Sequence, residues 1–317
     1  MKKILAIVLA AVMLLSMTAC GASAKKDTYV VGICQLIQHD ALDAATKGFQ
    51  DALTEALGDK VKFEVQNASG ESVNCTTIIN GFVSSKVDLI MANATPALQA
   101  AASATSEIPI LGTSVTDYAS ALEIEDWTGT VGGNISGTSD LAPLDQQAAM
   151  IQELFPDAKN VGLLYCSAEA NSQYQVDEMT KYLTDLGLTP TPFAFTDTND
   201  VASVTQAACD ASDVLYIPTD NTAASNTEAI ANVLVPAGVP AICGEEGICK
   251  GCGVATLSIS YYDLGVTTGK MAAKILTGEA DISEMPIEYT EATPKYNASM
   301  CETLGIEPLE GYTAIEE

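Results

Sequence analysis

Apolar runs along this 317-residue chain repeatedly end in polar residues of the same few types. The run 213–218 delivers Thr219, Asp220 and Asn221, and 29–34 delivers Gln35, Gln38, His39 and Asp40. Asn93 and Thr95 follow 87–92, and Ser114, Thr116 and Asp117 follow 108–113. Ser167, Glu169, Asn171 and Ser172 follow 160–166, and Glu245 and Glu246 follow 239–244. An acid at the mouth of a buried strand is costly unless something positive meets it. A carboxylate such as Asp220 suits an ammonium. The free N–H groups at the start of a helix suit a carboxylate, aided by the helix dipole. Gathered in one place, with hydroxyls and amides completing the hydrogen bonds, these groups describe a receptor for a small zwitterion. The same residue types are the ordinary N-caps of helices, so any one taken singly is more often a cap than a ligand contact.

Other chemistries lack their parts. There is no GxSxG elbow, no Walker A run and no GxGxxG opening a helix; "GTVGGN" (129–134) follows no clear strand. His39 is the single histidine, and "CKGC" at Cys249 and Cys252 has no second pair or histidines at zinc spacing. The expectation is no enzyme, no metal and no cofactor. Cys34, Cys166 and Cys243 close apolar runs, where cysteine serves as a small hydrophobe, so free thiols are expected ahead of a local disulfide. A formal net charge of -27 opposes nucleic acid and anionic lipid and favours solubility.

The first segment is not fold. Lys2 and Lys3, an apolar run from Ile4 to Leu15 and then "SMTACG" read as an export signal, residues 1–19. Thr18, Ala19, Cys20 and Gly21 look like a bacterial lipobox, with Cys20 lipidated and 20–27 a tether, although Met17 stands where that motif prefers Leu. The apolar run is too short to span a bilayer.

Beyond it, short β-rich runs alternate with alanine-rich stretches of helical period. The stretch 41–57 places Leu42, Ala45, Phe49, Leu53 and Leu57 on one face, with Asp40 as its N-cap and Gly58 as its stop. Helices are also expected at 72–85, 95–106, 169–187, 200–209, 221–238 and 261–278, and one opening at Asp140. Strand–helix alternation with continuous apolar strands means parallel sheets covered on both faces. Two such series in succession mean two similar α/β lobes, Rossmann-like and joined by a hinge. In open parallel sheets, ligands bind beyond the carboxyl ends of the strands, where the polar residues lie.

Several segments together resemble one family: "VGICQLIQHDALDAATKGFQDAL" (31–53), "ATPALQAAA" (94–102), "TSVTD" (113–117), "LLYCSAEANS" (163–172), "YIPTDNT" (216–222), "GEEG" (244–247) and "TLSISYYDLG" (256–265). They are similar to the ABC-transporter substrate-binding proteins of the tryptophan/tyrosine type, over nearly the whole mature chain. The resemblance implies the type I periplasmic-binding-protein fold, with lobe one at 28–137 plus 259–284 and lobe two at 138–258 plus 285–317. It implies a monomeric extracytoplasmic lipoprotein that closes on an aromatic amino acid and passes it to a permease and an ATPase on other chains. By position in these motifs it implies ligand contacts at Gln35, His39, Thr95, Thr116 and Asp117 in lobe one. In lobe two it implies Ser139, Glu169, Asn171, Ser172, Asp220, Asn221 and Glu245, with Tyr261 near the hinge. Asp220 or Asp117 would meet the ammonium, and the helix starts after Ala94 and Ala168 the carboxylate. Gln38 and the "CKGC" pair depart from the family's pattern beside these loops. A binding protein for another amino acid, a sugar or a nucleoside, or a ligand sensor, stays open on the residues alone; the absence of arginine counts against the sugar version.

Overall fold

The computed structural model describes residues 26–316. The export signal and Cys20 lie outside the described residues. Among those described, no helix is long and apolar enough to cross a membrane.

The amino-terminal series runs β1 (Tyr29–Gln35), α1 (Asp40–Leu57), β2 (Val61–Asn67), α2 (Ser72–Ser85), β3 (Leu89–Asn93), α3 (Thr95–Ala104), β4 (Ile110–Val115), α4 (Tyr118–Ala121) and β5 (Ile135–Ser139). Then follow α5 (Leu144–Leu154), β6 (Asn160–Cys166), α6 (Ala170–Asp185), β7 (Thr189–Phe195), α7 (Val201–Ala211), β8 (Val214–Ile217), α8 (Asn221–Ala224) and α9 (Thr227–Ala237). The chain closes with β9 (Ala241–Cys243), α10 (Glu246–Cys252), β10 (Ala255–Ser258), α11 (Tyr261–Thr277), β11 (Glu288–Tyr289), β12 (Thr293–Tyr296), α12 (Ala298–Leu304) and β13 (Thr313–Ala314). Two sheets result, ordered β11-β5-β4-β3-β1-β2 and β13-β12-β10-β9-β8-β6-β7. Every pairing is parallel except β10 with β12.

Strand alternation sorts side chains to two faces. Val31, Ile33, Leu89 and Met91 pack on Phe49 and Leu53 of α1 and Met271 of α11. Their neighbours Cys34, Ile90 and Ala92 pack on Ile79 and Phe82 of α2 and Leu98 of α3. The second sheet repeats the plan, with Leu163 and Tyr216 on one face and Leu164 and Ile217 on the other. Both sheets are therefore covered on both sides, as the unbroken apolar runs require.

Strand order reverses between β1 and β3 in one sheet and between β6 and β8 in the other. Such switch points leave a crevice at the strands' carboxyl ends. The exits of β1 and β3 carry His39 and Thr95, and those of β6 and β8 carry Glu169 and Asp220.

The chain crosses between the sheets three times: after Ser139, before Tyr261 and after Tyr289. This moves the lobe boundaries drawn from the sequence. β5 extends the first sheet to Ser139, and β11 belongs to it through Glu288↔Thr138 and Tyr289↔Ser139. A two-residue strand has no period to read.

Other expectations are corrected. Helix α1 begins at Asp40, and its N-cap position is the extended His39, which makes no side-chain cap. Asp140 opens no helix, because α5 starts four residues later, behind Pro143. The stretch 221–238 is two helices broken at Ser225 and Asn226. β5 escapes notice because "ISGTS" has little apolar content. Its Gly137, at φ +148°, lies so close to β4 that a Cβ would sit 2.1 Å from the Gly112 carbonyl oxygen and 2.4 Å from the Tyr118 hydroxyl. Helix α11 lies on α1 with equal intimacy, through Gly48, Gly265 and Gly269. All eight described cysteines are buried and free, Cys249 and Cys252 included.

Candidate functional site

A narrow cavity lies between the lobes. His39, Ser114 and Thr116 reach it from the first lobe, and Asn171, Asp220 and Glu245 from the second. Asp140 and Tyr261 reach it from the chain crossings.

Three of these are carboxylates, and each is held by donors from its own surroundings. Asp220 stands N-terminal to α8 and accepts from the Ala223 N–H at 2.7 Å and the Cys166 N–H at 2.6 Å. Glu245 caps α10, accepting from the Gly247 N–H at 2.6 Å and from the Ile248 N–H. Asp140 accepts from the Thr116 hydroxyl at 3.0 Å and the Tyr261 hydroxyl at 2.9 Å. These bonds fix the carboxylates while leaving lone pairs for a further donor. No lysine lines the cavity. Burial also lowers the pKa of His39, so the ring is neutral at neutral pH.

Burial pushes Asp140 up to about 6 and both Asp220 and Glu245 up to about 7, the nearby Glu169 charge adding to the rise at Asp220. Each folded value stands above the unfolded one, so the stabilisation belongs to the protonated form. It is fully present below the unfolded pKa of about 4 and is lost as pH rises through the folded values. His39 acts in the opposite sense, one group against three. Ligand-free protein is expected to melt at a higher temperature at about pH 5.5 than at about pH 8, whereas affinity for an ammonium should fall over the same acidification. Scanning calorimetry with and without ligand reads both. Equal melting temperatures at the two pH values would remove the carboxylates' burial as the cause.

The first lobe offers unpartnered donors. The hydroxyls of Thr95 and Ser114 are buried and have no hydrogen-bond partner within the protein. Thr95 begins the ten-residue helix α3. Ala94 (φ +94°), just past the end of β3, and Ser114 (φ +53°), on the adjacent β4, hold positive-φ backbone. Strain of this kind costs on the order of 1–3 kcal/mol per residue and collects at binding sites. In the second lobe, the Asn171 amide nitrogen donates to the Thr219 carbonyl at 3.1 Å and to Glu169 at 3.2 Å. Its oxygen is left buried without a donor.

Of the residues expected from sequence, His39, Thr116, Asn171, Asp220, Asn221, Glu245 and Tyr261 line the cavity. The others stand back from its wall. Gln35 turns inward, donating to Asp43 at 2.6 Å and accepting from Thr46 at 2.7 Å. Thr95 sits at the start of α3, and Ser172 lies beside Asp220. Ser139 donates to the Thr116 carbonyl at 2.8 Å, supporting the crossing. Asp117 caps α4 through the Ser120 N–H at 2.7 Å and does not reach the cavity. Glu169 is buried behind the wall, with both oxygens taken by protein donors.

Asp140, Leu42 and Ala224 line the cavity without having been marked from sequence, and Ser114 and Thr219 were marked only as strand-exit residues. The signal for Asp140 was present: an acid after "SGTS", cut off from the next helix by Pro143. Tyr261 is the tyrosine of the cavity lining. Tyr216 is core, donating to Gln147 at 2.6 Å, and Tyr262 is exposed.

Comparison with known proteins places this geometry. The family described as ABC transporter substrate binding protein matches residues 30–310. A tyrosine-binding protein of Clostridioides difficile (strain R20291) is 34% identical over 308 residues, 92% of this chain and 89% of that protein. A Streptococcus pneumonia ABC domain solved in complex with L-Trp is 32% identical, with TM-score 0.86, over 91% of this chain and 100% of that one. The ligand-free, open structure of a Clostridium difficile substrate-binding protein with adhesive properties is 34% identical, with TM-score 0.70, over 91% and 99% of the two chains. The fold is that of the type I periplasmic binding proteins, and the chain belongs to the family of ABC transporter substrate-binding proteins.

Proposed function

We propose that this protein captures a free aromatic amino acid between its lobes, with tyrosine the best fit. It delivers that ligand intact to a membrane permease driven by an ATPase, from outside the cytoplasm and tethered by a lipid on Cys20. The observation that carries this reading is the cavity: three buried carboxylates and no cation in its lining, the unpartnered Ser114 hydroxyl on its wall and that of Thr95, at the start of α3, set back from it. An ammonium answers the first and a carboxylate the second. Desolvation on closure strengthens both. The unpartnered Asn171 oxygen adds a demand for one more donor, which a phenol hydroxyl supplies and a phenyl ring does not. What the two relatives bind supports the same class of ligand. The lipobox-like "TACG" supports the tether.

Titration calorimetry with L-tyrosine, L-tryptophan and L-phenylalanine is expected to show binding, tyrosine tightest, with each compound recovered unchanged. Native mass spectrometry of protein from membranes should find the same ligand and a lipid adduct on Cys20. An absence of heat with all three amino acids, or a co-purified ligand without an amine, overturns the amino-acid reading. An unmodified Cys20 overturns the tether alone.

A further inference from the structure

We propose that Glu169, Asn221 and His39 form a latch across the cleft that sets how long a captured ligand stays, with Glu169 as a positioning residue that does not touch the ligand. The proposal rests on the amino-acid reading above and adds a role that ligand recognition alone does not require.

Glu169 has no capacity left for a ligand. One carboxylate oxygen accepts from the Thr222 N–H and hydroxyl, both at 2.8 Å. The other accepts from the Asn221 N–H at 3.0 Å, the Asn221 side-chain amide at 2.7 Å and Asn171 at 3.2 Å. This arrangement decides which way the Asn221 amide points. Its nitrogen must face Glu169, so its oxygen must face the other lobe. There it meets the Nε2 of His39 at 3.3 Å. An amide oxygen only accepts, so His39 carries its proton on Nε2. A carboxylate buried in one lobe thus orients a donor–acceptor pair that spans both.

Among the described hydrogen bonds, His39–Asn221 joins side chains of the two lobes away from the chain crossings. Its position is a doorway. His39, Ala224 and Glu245 face the inner cavity on one side. On the other they face a wider, more open groove bounded by Gln38, Ser225 and Lys250. His39 and Ala224 are therefore wall between ligand and solvent. The bond is formed in this structure, where His39 and Asn221 face each other at 3.3 Å. A contact made only after closure stabilises the closed form and slows release, without changing encounter with the open cleft.

Stopped-flow binding of L-tyrosine tests this, comparing wild type with His39→Ala, Asn221→Ala, Glu169→Gln and the paired variants. Loss of the latch is expected to speed release by about tenfold, with association altered by less than about twofold. Glu169→Gln should speed release in the wild-type background and add nothing to Asn221→Ala, because the two act through one bond. His39→Gln, which keeps a nitrogen donor, should recover part of the loss; a merely structural histidine would not behave this way. Circular dichroism melting confirms that each variant folds. Unchanged release in folded His39→Ala, or additive effects of Glu169→Gln and Asn221→Ala, overturns the latch while leaving the amino-acid reading intact. Wild-type protein that binds neither L-tyrosine nor L-tryptophan overturns both.

Discussion

Gly265→Val is expected to yield little or no cooperatively folded protein. Helix α11 leaves the second crossing and lies on α1 so closely that a Cβ on Gly265 would sit 2.0 Å from the Ala45 carbonyl oxygen. The contact recurs along the pair: Gly48 would meet the Tyr262 carbonyl at 2.1 Å, and Gly269 the Phe49 carbonyl at 2.7 Å. Each obstacle is helical backbone, which cannot swing aside as a side chain can. Overpacking ordinarily costs about 1–3 kcal/mol, and a clash with backbone belongs at or above the top of that range. The damage would reach the site, since α1 begins beside His39 and α11 begins with Tyr261. Gly81→Ala is the control. Gly81 lies on α2 with open space where its Cβ would go, so alanine should stabilise by roughly 0.5–1 kcal/mol. Soluble yield and urea unfolding check both. Gly265→Val unfolding at the wild-type midpoint would mean that the helices can part without penalty.

Asp220→Ala is expected to raise the Kd for the amino-acid ligand by about a hundredfold or more, on the order of 3 kcal/mol. Asp220 is 1% exposed and points its carboxylate into a cavity that contains no cation of its own. An ammonium that loses this partner forfeits a desolvated charge pair. Alanine also strips the Cys166 and Ala223 N–H groups of their acceptor, so Asp220→Asn, which retains an acceptor, is the cleaner variant. Asp117→Ala should leave affinity unchanged, because that acid caps α4 away from the cavity. Calorimetric titration of folded Asp220→Asn with undiminished affinity would remove Asp220 from ammonium binding.

Much of this architecture was legible in the residues. The apolar runs of β1, β3, β6 and β8 announced buried parallel strands, and some of the polar residues after β1, β6 and β8 line the cavity while those after β3 do not. What stayed hidden depends on contacts between distant segments. β5 is built of Ser, Gly and Thr, and exists because Gly137 and Gly112 make room for Tyr118. Asp140 looked like a helix start, and it became a cavity acid only because Thr116 and Tyr261, far away in the chain, converge on it. Asp117 and Asp220 are both acids after a strand. Both cap a helix, Asp117 at a half-buried edge and Asp220 facing the cavity, and local pattern does not separate them.

The threefold passage between the sheets has a consequence for how the molecule is made. One face of the first sheet is covered partly by α11, and its edge strand is β11 at Glu288–Tyr289. A ribosome must therefore synthesise nearly the entire polypeptide before the amino-terminal half can reach its final form. Domains that complete themselves early fold as they emerge; this one is committed to waiting, and a chain still unfinished in shape is the kind that an export channel is able to thread.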